Sequence, residues 1–107
     1  MTIGALWTAA HHQIPLLTVV HNNRAFHQEV MRVQRLASRH MRGIDRCHIG
    51  TTLRDPFIDF AKVAQGMGVH AEGPVTDPGD LGAALKRAIK VAKAGEPALV
   101  DAMTQGR

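Results

Sequence analysis

Residues 16–20, Leu-Leu-Thr-Val-Val, form an apolar run in which polar residues do not alternate with apolar ones. Such a run suits a strand covered on both faces, as in a parallel sheet flanked by helices, and so it restricts the chain to an α/β architecture more than any other segment does. The run ends in His21 and then in two adjacent asparagines, Asn22 and Asn23, followed by a polar segment led by Arg24.

The rest of the chain supplies the helices that such a sheet needs. Residues 4–12 are good helix formers with Leu6, Ala9 and Ala10 on one side, and the helix must stop before Pro15. Asp55-Pro56 reads as the cap and first position of a second helix. Phe57, Phe60, Ala61, Val63, Ala64 and Met67 give that helix an apolar face, and Gly68 closes it. Residues 69–72 read as a short strand. The same grammar recurs at Asp77-Pro78, with Leu81, Leu85, Ala88, Ile89 and Ala92 at helical spacing and Gly95 as the stop. Residues 97–103, Pro-Ala-Leu-Val-Asp-Ala-Met, complete the pattern as a last strand. Helices alternating with short apolar strands predict a parallel sheet with right-handed crossovers.

At 107 residues the chain is one domain at most, with 45% hydrophobic and 21% charged residues. Its single cysteine, Cys47, excludes an internal disulfide, a zinc cluster built on cysteines and a CxxC redox site. No stretch approaches the length that crosses a bilayer, and the first residues lack the basic start of a signal peptide, so a cytoplasmic protein is expected.

The net charge of +4 is concentrated in one place: residues 24–54 hold seven arginines against Glu29 and Asp45. Arg32, Arg35, Arg39, Arg42 and Arg46 recur at steps of three and four, which predicts one cationic stripe if residues 29–42 are helical. A solvated or interdomain face is the plain reading of that stripe. The alternative is a non-catalytic basic binding or assembly module, with nucleic acid as a partner disfavoured because no aromatics interleave the arginines. His11 and His12 diverge on a helix and lack a third ligand. No spacing rule joins His40, Cys47 and His48 to a metal.

An asparagine carboxamide offers the neutral oxygen that suits a hard cation such as magnesium, although an asparagine pair in a turn is common on its own. Across "ALWTAAHHQIPLLTVVHNNRAFHQE", "DPFIDFAKVAQGMGVHAEGP" and "GEPALVDAMTQ" the chain resembles the C-terminal end of the pyrophosphate-binding domain of thiamine diphosphate enzymes, in the acetolactate synthase and benzoylformate decarboxylase group. The resemblance implies a thiamine diphosphate-binding fold truncated at its N-terminal side, spanning 1–107 as a partial domain with a basic insert at about 24–54. It also implies thiamine diphosphate and Mg2+ as cofactors, a 2-oxo acid as substrate of the full-length enzyme, and a homo-oligomer or missing upstream domains.

By position, the resemblance makes Asn23 a side-chain metal ligand and Ala25 a main-chain carbonyl ligand. Asn22, Asn23, Ala25 and Phe26 become the cofactor-binding residues, with Asn22 shaping the turn. His27 and Glu29, directly after the loop, become catalytic candidates. Glu29 would serve in proton transfer if buried, whereas an exposed Glu29 is simply an acidic residue favoured at a helix start. The Gly-Asp-Gly that opens the family's motif, and carries its anionic metal ligand, does not occur in these residues. Little or no catalysis is therefore expected of the chain alone.

Overall fold

A computed structural model describes residues 2–105. Contacts divide the described chain into two compact units, one of residues 2–22 and 59–104 and the other of residues 23–58 with 105.

The first unit contains helix α1 (Ile3–His11), strand β1 (Leu17–Asn22), helix α3 (Phe60–Gly66), strand β2 (His70–Val75), helix α4 (Pro78–Lys93) and strand β3 (Ala98–Met103). Helix α2 (His27–Arg39) belongs to the second unit. The three strands form a parallel sheet in the order β1-β3-β2, with Leu17 opposite Ala98 and Asn22 opposite Met103. A parallel sheet flanked by helices is thus the architecture, as expected.

Period-2 alternation along β3 decides which helix meets which face. Leu99 joins a core cluster with Leu6 of α1, Ala61 and Ala64 of α3, and Val69 and Ala71. Ala98 and Val100 point the other way and meet Ala84 and Ala88 of α4. Alanines at these contacts let the helices approach the sheet closely. The central strand β3 is buried along Ala98–Ala102, so it, rather than β1, is the strand covered on both faces. β1 is an edge strand, and its Val19 is 51% exposed.

The four helices among the described residues end in the same way. Beyond each, one residue takes a left-handed conformation: Gln13 (φ 50°), Met41 (φ 50°), Gly68 (φ 81°) and Gly95 (φ 99°). The next amide returns to a carbonyl in the last turn, as Ile14 N–H does to Ala9, Arg42 to Ala37, Val69 to Ala64 and Glu96 to Val91. Gly68 and Gly95 fill the position without steric penalty, whereas Gln13 and Met41 are side-chain-bearing residues in a conformation that glycine prefers.

Three expectations are corrected. Helix α3 is capped by Asp59, whose Oδ1 accepts from the amide of Lys62 at 2.9 Å, not by Asp55. Asp55 has φ 58°, outside the extended conformation from which a cap side chain reaches its helix. The arginine stripe is interrupted, because α2 stops at Arg39 and Met41 reverses the chain, so Arg42 and Arg46 lie beyond the helix. Phe57 lies before α3 rather than on its apolar face, and it is 55% exposed. Trp7 stacks on His11 with ring centroids 4.8 Å apart, and the Arg24 guanidinium lies 3.9 Å from the centre of the Phe57 ring. Among the described residues, no helix is long and apolar enough to cross a membrane.

Candidate functional site at the end of strand β1

The paired asparagines have different environments. Asn22 is the last residue of β1 and 7% exposed, and its Nδ2 donates to Oδ2 of Asp101 at 3.3 Å. Asp101, fully buried in the middle of β3, lies on the same side of that strand as Leu99. Alternation along β1 gives Asn22 the side of Val20, which packs on the Leu99 cluster. The main-chain carbonyl of Asn22 accepts from the amide of Thr104 at 2.9 Å, which fixes the strand end a second time.

Asn23 belongs to the second unit and is half-buried. Its Oδ1 accepts from the amide of Ala25 at 3.1 Å, an Asx turn in which side-chain oxygen stands in for a backbone carbonyl. Within this unit it is Asn23, not Asn22, whose side chain closes the loop. Arg24, between Asn23 and Ala25, has φ 54°, a left-handed conformation that the Asx turn accommodates. The loop is tied down by an antiparallel bridge of Ala25 with Thr52: Phe26 N–H donates to Thr51 O at 2.7 Å and Leu53 N–H to Arg24 O at 2.8 Å. Both bonds use the residues flanking Ala25, so its own carbonyl takes no part in the bridge.

Phe26 precedes α2 and is 56% exposed. His27 opens the helix half-buried, and Glu29 in its first turn is exposed. The burial that would suit Glu29 to proton transfer is therefore not supplied by the described residues. What the arrangement offers a ligand is neutral oxygen: one carboxamide with a second lone pair beyond its bond to Ala25, and one main-chain carbonyl. Those donors fit a hard, oxygen-preferring cation in kind. They carry no charge to hold it. Among the described residues, no group of three or more His, Cys, Asp or Glu side chains could hold a metal ion.

The sequence reading passed over Asp101 as one more strand residue. A signal was there: a single acidic residue inside an otherwise apolar strand needs a buried partner, and Asn22 is one.

A parallel α/β sheet, a strand that ends at Asn22 and a pinned loop that opens with Asn23 fit cofactor domains that gather ligands beyond the carboxyl ends of their strands. The chain belongs to the thiamine pyrophosphate enzymes: residues 1–102 match the family's C-terminal TPP binding domain. Among characterised sequences it is similar to the putative acetolactate synthase large subunit IlvX of Mycobacterium tuberculosis, with 35% identity over 78 residues. That stretch is 70% of this chain and 14% of the relative, so the chain spans only a small part of the protein it matches. No solved structure matches the chain.

Proposed function

We propose that this chain supplies part of the diphosphate and magnesium site of an enzyme that uses thiamine diphosphate to act on 2-oxo acids, in the manner of an acetolactate synthase or a decarboxylase. The observation that carries the reading is the Asn23 turn: directly after β1, a bridge-pinned loop offers a carboxamide oxygen and the Ala25 carbonyl within three residues. Asn23 Oδ1 and Ala25 O would be the metal ligands. Asn22 anchors the strand end from which the loop departs, and Phe26 lies at the loop's far side, where it would pack on the cofactor.

A bound cofactor would supply a carbon nucleophile and an electron sink for decarboxylation of a 2-oxo acid. The residues here bind and orient. His27 and Glu29 are the candidates for moving a proton near that centre, a role that requires another chain or segment to enclose them.

Both proposed ligands are neutral, and magnesium surrenders its water reluctantly, so the chain alone should hold the ion weakly and catalyse little. An anionic donor would come from another segment or another polypeptide. Self-association or pairing with such a segment, at a cytoplasmic location, follows from the same reading. The basic-module alternative is weakened by the interruption at Met41, which leaves only Arg32, Arg35 and Arg39 on α2.

The test uses Mn2+ as a paramagnetic substitute for magnesium on the isotopically labelled chain with thiamine diphosphate at millimolar concentration. Line broadening should centre on the amides of Asn23–Phe26 and disappear in Asn23→Leu. Broadening elsewhere, or broadening that the substitution leaves intact, would overturn the assignment.

A further inference from the structure

The second unit carries a cleft unrelated to the asparagine turn. On α2, Val33 and Leu36 line this cleft, and Arg32, Arg35 and Arg39 do not. Past Met41 the chain reverses, and residues 42–47 run back beside that apolar side, bringing in Cys47, which is 6% exposed. Between them is an open cavity of about 310 Å3 walled by Val33, Leu36 and Cys47 and edged by His40, Arg42 and Arg46.

Three features specify an occupant. The apolar walls are exposed to solvent here, with Val33 at 41% and Leu36 at 48%, although α2 has the sequence of a helix that buries this side. The edge is cationic and no acidic residue lines the cavity. Arg42 has no ion pair among the described residues, and Arg46 has only Asp45, 3.8 Å away with both side chains largely in water, an arrangement that contributes little. The volume lies at the lower end of the roughly 300–1,000 Å3 typical of small-molecule sites, too little for a nucleotide or a peptide helix.

We infer that this cleft binds a small organic anion with a short apolar body: a carboxylate or phosphate head taken by Arg42 and Arg46, and a hydrocarbon portion against Val33, Leu36 and Cys47. Guanidinium forks match both head groups, and the strong, charge-assisted bonds they form outweigh the exposed pair with Asp45. Arg32, Arg35 and Arg39 do not line the cleft, so the head group is left to Arg42 and Arg46. The inference is independent of the metal reading.

The probes are hexanoate, hexyl phosphate, neutral hexanamide and inorganic phosphate, each titrated into the labelled full chain at one ionic strength and followed by amide resonances. The expected result is a set of shifts confined to residues 33–47. At least one of the two amphiphilic anions should bind roughly ten-fold more tightly than hexanamide and than inorganic phosphate. The tighter of the two assigns the head group. In the double variant R42Q/R46Q that advantage should fall to about two-fold or less, with the melting temperature unchanged because both side chains are exposed. Equal binding of hexanamide, equal binding of inorganic phosphate, or shifts that fall outside these residues would each overturn the proposal.

Discussion

Asn22 donates its side-chain amide to Asp101 across two adjacent parallel strands, joining residues 79 apart in sequence at 3.3 Å. The bond is slightly long, but both partners are buried, and burial raises what is lost when one is removed. Replacing Asn22 by Leu keeps the volume and deletes the donor. Chemical denaturation should show a loss of about 1–3 kcal/mol for that variant, the penalty for a buried polar group deprived of a partner. If N22L is as stable as the parent, the pair does not hold the strand end.

Gly73, in β2, has φ 136°, and a Cβ there would lie 2.7 Å from both the Cβ and the carbonyl oxygen of Asp101. Neither obstacle is the free end of a side chain. G73A therefore combines a disfavoured backbone conformation with overpacking against a buried strand, and should lower stability by about 2–4 kcal/mol. The midpoint of a urea transition reads this directly, and the neighbouring G82A, with open space around its Cβ, is the matched control.

Glu72 receives three hydrogen bonds from Arg87, the shortest 2.7 Å from Nη2, and His70 Nε2 approaches it at 3.6 Å. The Arg87 hydrogen bonds, ahead of its charge and that of His70, hold the Glu72 carboxyl below the ordinary glutamate range, against the opposing effect of partial burial. A carboxyl whose folded value is depressed contributes stability that is fully present above its unfolded value of about 4.3 and is lost as pH falls through the lower, folded value. Melting temperatures recorded from neutral pH down past pH 4 should therefore fall less steeply in E72Q than in the parent. Parallel curves for the two proteins would show that the pair does not contribute.

Asp77 and Asp55 stand in the same Asp-Pro context, yet only Asp77 caps a helix, its Oδ1 accepting from Gly79 N–H at 2.8 Å. Loss of that cap in D77A should lower stability by about 1 kcal/mol, whereas D55A should stay within about 0.5 kcal/mol of the parent. Equal effects would contradict the capping assignment.

These two aspartates also mark how far the fold is legible in the sequence. Asp77, Pro78 and Gly95 bracket α4 because every one of its start and stop signals is local. At α3 the dipeptide Asp55-Pro56 resembles a start more than Asp59 does, and only the backbone conformation at residue 55 removes it. The end of α2 carries no glycine, since Met41 takes the left-handed position, so an unbroken arginine stripe is the natural misreading. The contrast between Asn22 and Asn23 lies further out of reach. It depends on the register of β1 against β3, which places Asn22 near a carboxylate that belongs to the far end of the chain. The asparagine pair itself, and the family it suggests, were readable from the residues.

The two rims of the sheet are finished unequally. On β2, Pro74 removes an amide and the register with β3 shifts between Glu72 and Val75, so that rim is a poor template. On β1, six residues run without a proline or a bulge, and their outward amides and carbonyls are an unbroken ladder with Val19 in solvent beside them. A regular edge of this kind has the geometry that accepts an added strand.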